Sequence, residues 1–330
     1  MVVIAVLLTV LIPIALSLWA FSIVSFTYFG DSSGFQPISP WKWLFSILIP
    51  LYMASGGLRR KSITNGGAVV GFLIGFILML SNYSFFCALS TFFIIGSKAT
   101  KYKTEVKKSI FEDVEDNTEG KRNFIQVIAN GGIAAYFGLL YALGVGFQEK
   151  LLDFSNDYNA TWLSIAVMSA IACCSGDTLA SEIGSVLGPI QPKLITTWAR
   201  VPRGTNGAVS LIGLAASFLG GLAVGLAFYI GLYLSLLLPT QEVTVYQWPV
   251  ILFGAVAGLL GSLIDSFLGA TLQYSGFCDD KRIVVDFPSD STKHISGVPV
   301  LDNNGVNMFS SLFTALIMPS ICLAFWPSPE

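Results

Sequence analysis

The sequence has very little charge for its length. Only 12% of its 330 residues are Asp, Glu, Lys or Arg, and 54% are hydrophobic. A soluble globular domain carries about 25% charged residues, so this composition excludes an ordinary soluble protein. Long apolar runs such as residues 207–238 and 249–273 are typical of membrane-spanning helices. The sequence therefore predicts a polytopic membrane protein.

Histidine and catalytic signature motifs are also scarce. His294 is the single histidine, which argues against a zinc site built on histidines and against a Ser-His-Asp triad. The five cysteines show no metal-ligand spacing, and we interpret them as packing residues. The sequence contains no P-loop, Gly-rich kinase loop or zinc signature, so a kinase of the soluble kind is excluded. We also expect no nucleic-acid partner.

Nine apolar runs define the expected spans. They lie at residues 3–26, 42–56, 66–80, 85–97, 126–147, 161–176, 207–238, 249–273 and 305–326. A straight span needs about 20 residues, and several runs are shorter, so some helices should be short or broken. The predicted fold class is an all-α polytopic membrane protein with about nine transmembrane helices.

We expect the whole chain to form a single integral membrane domain. Its expected parts are peripheral N-terminal helices (1–55), a catalytic core (56–307) and two cytosolic loops within that core (98–123 and 274–304). The first loop mixes basic and acidic residues, as solvated helices and flexible connectors do. In the second loop, the run Ile283-Val284-Val285 predicts a short strand.

The basic residues indicate how the chain crosses the membrane. If nine spans are present, all but two of the 18 basic residues, Lys42 and Lys150, fall in four loops on the same side. The positive-inside rule makes that side cytosolic. The N-terminus would then be cytosolic and the C-terminus lumenal, and we expect the endoplasmic reticulum as the default location.

Four odd-numbered spans enter from the cytosolic side through the dipeptide Asn-Gly, at Asn65, Asn130, Asn206 and Asn304. Asn is a good N-cap, and Gly lets the backbone come close to a ligand. Helix N-termini carry partial positive charge and free N–H groups, which suit phosphate. The alternative is ordinary cap and turn chemistry with no ligand.

Acidic residues lie at or near the ends of two even-numbered runs. Asp177 ends the sixth run and Asp265 lies near the end of the eighth. A carboxylate at a helix C-terminus destabilises the protein unless a cation offsets its charge. Glu182 lies five residues after Asp177, about 140° away on a continuous helix, so a break at Gly176 would be needed for both to reach one ion.

Arginine and amide side chains lie near the same ends of the spans. Arg203 lies in a Pro-Arg-Gly turn and could bind phosphate in a bidentate manner. Asn123, Gln126 and Asn130 have the spacing of one helical face, and such a face should line a cavity. The alternative for Asp177, Asp265 and Glu182 is a set of ion pairs with Arg203 or Arg122 that locks the helices together.

Five segments together resemble the transmembrane protein 19 family. They are RNFIQVIANGG (122–132), DTLASEIG (177–184), PRGTNGAVS (202–210), GSLIDSFLGATLQ (261–273) and NNGVN (303–307). That family is related to plant and cyanobacterial phytyl-phosphate kinases and more distantly to CTP-dependent phytol and dolichol kinases. The basic loop of the latter usually offers Lys-Ser followed by Glu-Gly, and here Pro202-Arg203-Gly204-Thr205-Asn206-Gly207 stands instead, so the nucleotide preference stays open.

The resemblance implies a CTP- or other NTP-dependent kinase that converts an isoprenoid (prenyl or phytyl) monophosphate to the diphosphate at the cytosolic face. It implies Mg²⁺ on Asp177, Glu182 and Asp265, and catalytic roles for Asp177, Asp265 and Arg203. The implied nucleotide and phosphate ligands are Arg122, Asn123, Gln126, Asn130, Thr178, Ser181, Thr205, Asn206, Gly207, Asn304 and Asn307. A transporter or flippase for a phosphorylated lipid or small anion is the alternative.

Overall fold

The computed structural model describes residues 2–29, 38–102, 121–188, 191–235, 246–280 and 283–327. Nine α-helices lie in these ranges: α1 Val2–Phe29, α2 Pro40–Arg59, α3 Asn65–Ser81, α4 Tyr83–Lys101, α5 Phe124–Gly144, α6 Tyr158–Leu187, α7 Leu211–Ser235, α8 Pro249–Leu272 and α9 Asn303–Phe325. Within the same ranges, five helices, α5 to α9, are long and apolar enough to cross a membrane. The chain is an all-α polytopic membrane protein, as predicted.

Local hydrogen bonds fix where several helices begin. The side chains of Thr64 and Asp302 accept hydrogen bonds from the N–H groups of the first turns of α3 and α9. Asn123 and Gln126 form a reciprocal capping box at the start of α5, in which each side chain binds the backbone N–H of the other. Asn82 caps α4 directly after α3 ends, so α3 and α4 run in opposite directions.

The prediction that the Asn-Gly pairs cap helices was wrong at all four positions. Asn65 and Asn304 lie inside the first turns of α3 and α9, because Thr64 and Asp302 take the cap positions. Asn130 lies further along α5, and Asn206 lies in a turn before α7, which begins at Leu211.

Helix α6 is the centre of the bundle. Every residue from Ser164 to Gly176 is buried, and α6 packs against α4, α5, α7, α8 and α9. Small residues let the backbones touch, since a Cβ on Gly176 would lie 2.3 Å from the carbonyl oxygen of Gly258 on α8. The helix continues without a break to Leu187, so the expected interruption at Gly176 is absent and Asp177 does not end the span.

Two small antiparallel sheets lie between helices. Strand β1 (Lys193–Leu194) pairs with β2 (Ala208–Val209), and a second sheet has the order β4-β3-β5. Its strands are β3 Ser275–Cys278, β4 Ile283–Val285 and β5 Thr292–Ser296. The short strand predicted at 283–285 is confirmed. Most of the expected loop 98–123 lies outside the described residues, because α4 extends to Lys101 and description resumes at residue 121.

The alternating helices bring one set of ends together. The starts of α3, α5, α7 and α9 and the ends of α4, α6 and α8 share one end of the bundle with both sheets. The opposite end contains a buried ion pair, in which Lys42 Nζ lies 2.7 Å from Glu149 Oε1. All the sequence features assigned above to a ligand fall at the first of these two ends.

Candidate functional site

A polar cavity of about 940 Å³ occupies the end of the bundle where the sheets lie. All fifteen residues assigned above from the sequence line this polar cavity. They are Arg122, Asn123, Gln126, Asn130, Asp177, Thr178, Ser181, Glu182, Arg203, Thr205, Asn206, Gly207, Asp265, Asn304 and Asn307. The structure brings the residues together, and their individual roles stay predictions.

Two carboxyl groups meet at this cavity. Asp177 on α6 and Asp265 on α8 are side-chain hydrogen-bond partners. Ser310 on α9 also donates from Oγ to Asp265 Oδ2 at 2.9 Å. Two carboxyl groups in contact must share a proton or bind a cation, because two bare negative charges repel. Carboxylate oxygens are ligands that Mg²⁺ prefers, so the donor chemistry of this pair fits that ion.

Glu182 does not join the acid pair as a third ligand. Because α6 is continuous, Glu182 projects about 140° away from Asp177 around the helix axis. Among the described residues, no group of three or more His, Cys, Asp or Glu side chains lies close enough to hold a metal ion. The expectation that a helix break would bring three carboxylates to one ion is therefore wrong in this structure.

Amide side chains extend the acid pair toward α5. Asn307 Nδ2 donates to Asn130 Oδ1 at 3.1 Å. With its amide turned over, Asn307 instead donates to Asp265 Oδ2 at 3.2 Å. The polar face of α5 thus lines a cavity, as its spacing predicted. Asn123 and Gln126 are partly committed to the capping box, which leaves fewer of their polar atoms for a ligand.

The two arginines occupy different environments. Arg203 donates from its guanidinium to the carbonyl oxygen of Gly188 at 2.6 Å, so it caps the C-terminus of α6. The Arg122 guanidinium lies 5.5 Å from the ring centroid of Phe92. Within the part of the chain that the structure describes, no hydrogen bond or ion pair engages it. Burial lowers the pKa of Arg122, and the negative charge of Glu182 opposes that shift.

Asn206 and Gly207 connect the two sheets. Asn206 donates from its backbone N–H to Ser275 Oγ at 3.0 Å and from Nδ2 to Asp286 Oδ1 at 2.9 Å. Gly207 has φ +78°, and a Cβ there would lie 2.4 Å from the Cβ of Ala270. Only glycine fits this turn, so Asn206 and Gly207 shape the wall of the polar cavity.

Some polar lining residues were not singled out from the sequence. On α8, Ser262 and Ser266 flank Asp265, and Thr64, Lys121 and Ser210 contribute from the starts of other elements. Ser262 lies three residues before Asp265 and so shares its helical face, which made its position in an apolar run a readable signal, whereas Ser266 directly follows Asp265 and has no such spacing. Lys121 and Ser210 carried none, since both lie in irregular sequence.

The family model described as an integral membrane protein, DUF92, matches residues 48–315. The chain belongs to the DUF92 family. All residues that line the polar cavity fall within the matched range. No solved structure matches the chain.

Three curated relatives show how far this family extends. Protein PGR of Arabidopsis thaliana is 41% identical over 83% of this chain and 94% of its own length. An uncharacterized membrane protein of Methanocaldococcus jannaschii is 30% identical over 72% of this chain and 86% of its own length. Protein VTE6, chloroplastic, of Arabidopsis thaliana is 26% identical over 72% of this chain and 65% of its own length. The similarity therefore covers most of this chain in both a plant and an archaeon.

Proposed function

We propose that the protein is a membrane-embedded kinase that transfers a phosphoryl group from CTP, or another nucleoside triphosphate, to an isoprenoid monophosphate. The observation that carries this proposal is the contact between Asp177 and Asp265 inside a polar cavity. An acid pair within membrane helices is costly unless a cation balances it. The resemblance to phytyl-phosphate kinases supports the choice of an isoprenoid acceptor.

Each part of the cavity has a role in this reaction. Asp177 and Asp265 would hold Mg²⁺, which when bound would neutralise charge on the phosphate oxygens. Arg203 and Arg122 would bind phosphate groups, and Asn130 and Asn307 would orient them. An oxygen of the lipid phosphate attacks the γ-phosphorus, the bond from that phosphorus to the bridging oxygen breaks, and the nucleoside diphosphate leaves. The lipid phosphate is already an oxyanion at pH 7, so a strong general base is unnecessary.

We further propose that the polar cavity faces the cytosol in the endoplasmic reticulum membrane, with the N-terminus cytosolic and the C-terminus lumenal. The basic residues near the cavity, including Lys121 and Arg203, support this orientation through the positive-inside rule. One relative carries the word chloroplastic in its name, so members of the family occupy more than one membrane under this proposal.

The alternative hypothesis, that the protein is a transporter or flippase, fits the cavity less well. Alternating access requires polar groups that reach both faces of the membrane from a central site. Here the residues that line the polar cavity come from one set of helix ends. The observed asymmetry favours chemistry at one face.

Replacing either acid by its amide tests the proposal directly. Purified wild-type protein with Mg²⁺-CTP should convert a C20 prenyl monophosphate to the diphosphate, measured by mass spectrometry of lipid and nucleotide together. Asp177→Asn and Asp265→Asn should each lower that rate by about 10²-fold or more, because an amide holds Mg²⁺ more weakly than a carboxylate and the ion would no longer neutralise the reacting phosphates. The control Asp290→Asn removes an exposed acid in the loop before β5 and should leave the rate unchanged. Absence of nucleotide consumption by the wild type with prenyl monophosphates of C10 to C20 would reject the enzyme.

A further inference from the structure

A second, apolar cavity adjoins the polar one. This apolar cleft of about 80 Å³ lies between α2, α3, α4 and α5, and its walls are mostly hydrophobic side chains such as Met53, Ile74 and Phe93. Arg122, Gln126 and Asn130 line both spaces. The apolar cleft and the polar cavity therefore lie next to each other, with Arg122 at their shared boundary.

Gly71 lines the apolar cleft at a position where close packing does not require a glycine. Gly67, Gly75 and Gly131 also line the cleft, and a Cβ on any of them would come within 3.1 Å of a neighbouring residue. A Cβ on Gly71 would meet only Val127, at 3.9 Å, which is ordinary contact. Glycine inside a helix destabilises it by about 0.5–1 kcal/mol relative to alanine. Close packing does not account for Gly71, and its missing side chain leaves room in the cleft.

Arg122 supplies charge at the junction. Its guanidinium lies against Phe92 and beside Gly96, where a Cβ would come within 2.8 Å of the guanidinium nitrogen. Within the described ranges the N–H groups of the guanidinium donate to no acceptor, and the charge of Glu182 acts on it without a hydrogen bond. Arg binds phosphate through two parallel N–H donors, so a phosphate at the junction would satisfy it. An apolar slot with a phosphate-binding group at its inner end matches an amphipathic anion.

We propose that the apolar cleft binds the hydrocarbon chain of the isoprenoid monophosphate next to its phosphate, while Arg122 binds the phosphate itself. This inference rests on the proposed kinase function. The apolar cleft, at about 80 Å³, is far smaller than the polar cavity of about 940 Å³, so it admits only a short part of the hydrocarbon chain. The rest of the chain stays in the bilayer. The protein then recognises the first isoprene unit and tolerates chains of different length.

Filling the cleft at Gly71 tests the inference by kinetics. Gly71→Leu should raise KM for a C20 prenyl monophosphate by about tenfold or more, since each methylene lost from an apolar site weakens binding about fourfold. The kcat at saturating lipid and the KM for CTP should change little. Gly71→Ala, which fits at 3.9 Å from Val127, should fold normally and raise the KM for the lipid by a smaller factor. The matched control Val69→Leu adds a methylene on the exposed face of α3 and should leave both KM values unchanged.

Photo-crosslinking separates this inference from the kinase proposal. A prenyl monophosphate with a diazirine in its first isoprene unit should label α3 or α4 in wild-type protein, and Gly71→Leu should abolish the labelling. Labelling of the apolar cleft without phosphorylation of the lipid would reject the kinase proposal and support the proposal that the cleft binds the hydrocarbon chain. Labelling confined to the outer faces of the helices, an unchanged KM in Gly71→Leu, or equal competition by phosphatidic acid would overturn the inference.

Discussion

At the scale of single residues, the ion pair at the end opposite the polar cavity joins three parts of the chain. Lys42 Nζ lies 2.7 Å from both Glu149 Oε1 and the carbonyl oxygen of Phe147. The two carboxylate oxygens of Glu149 accept from the backbone N–H of Tyr83 at 3.2 and 3.1 Å. Burial raises the pKa of Glu149, while Lys42 and the Tyr83 N–H oppose the shift. Removal of one partner would leave a buried charge without compensation.

Lys42→Met should therefore destabilise the protein strongly, by about 3 kcal/mol in the free energy of unfolding. The double variant Lys42→Met/Glu149→Leu should recover most of that loss, because no buried charge remains. Denaturant unfolding in detergent measures both. The control Lys293→Met breaks an ion pair with Asp279 that is largely exposed and should have little effect. A double variant no more stable than Lys42→Met would show that packing, and not charge, is the cause.

The proximity of Asp177 and Asp265 could be predicted from the sequence, and the position of Glu182 could not. Asp177 and Asp265 occupy matching depths in α6 and α8, which run in the same direction, so their meeting followed from topology and from the cost of isolated charge. The position of Glu182 depended on whether α6 breaks at Gly176. Gly176 packs against the backbone of Gly258 inside a continuous helix, and single-sequence reasoning cannot distinguish a packing glycine from a hinge.

At the scale of elements, the contact between α7 and α8 depends on the absence of side chains. A Cβ on Gly258 would lie 2.7 Å from both the Cα of Gly221 and the carbonyl oxygen of Ser217. Backbone atoms cannot move aside as a flexible side chain can, so any substitution here must separate the helices. Asp265 lies seven residues along α8 from Gly258, about 10.5 Å along the axis, so we expect a displacement of α8 at Gly258 to shift Asp265 as well.

Gly258→Ala should lower the free energy of unfolding by about 1–3 kcal/mol, as overpacking does in other cores. It should also lower the rate of lipid phosphorylation, because Asp265 moves away from Asp177. Thermal unfolding and the lipid assay measure the two effects. Gly56→Ala is the matched control, since nothing lies within 4 Å of a Cβ there, and it should be neutral or slightly stabilising. Equal stability of the two variants would contradict a tight α7–α8 contact.

Helix positions were predictable to within a few residues except at the end of α6, which was expected at residue 176 and lies at Leu187, and the elements around the cavity mouth were only partly predictable. The spacing of Asn123 and Gln126 is that of a capping box, and the apolar runs located each helix. Strands β1 and β2 have two residues each, too short for an alternating pattern. The partners of Asn206 lie 68 to 80 residues away, so its role in joining the sheets depended on tertiary structure.

At the scale of the whole molecule, the two ends of the bundle have different chemistry. One end carries the polar cavity and both sheets, and the other carries the Lys42–Glu149 pair and the loop before α6. Ser289 is exposed beside the first end and Ser155 beside the second. If the chain spans the membrane as proposed, these serines face different compartments.

Cysteine labelling should separate the two sides. In sealed microsomes, a membrane-impermeant maleimide should label Ser289→Cys, and it should label Ser155→Cys only after detergent opens the vesicles. The native protein gives the background, because four of its cysteines are buried and Cys87 is half-buried. Labelling of both variants in sealed vesicles would contradict a membrane between them. Labelling of Ser155→Cys alone would reverse the orientation that we propose.

The backbone around Arg122 links the two cavities mechanically. The backbone N–H of Arg122 donates to the carbonyl oxygen of Ser62, and its carbonyl oxygen accepts from the N–H of Thr64, each at 3.0 Å. The connection between α2 and α3 thus binds the backbone of Arg122 through two hydrogen bonds. A hydrocarbon chain that separates α2 from α3 should therefore also displace the guanidinium of Arg122. The shape of the first isoprene unit would then change the position of Arg122 at the phosphate, although the hydrocarbon itself does not contact the polar cavity.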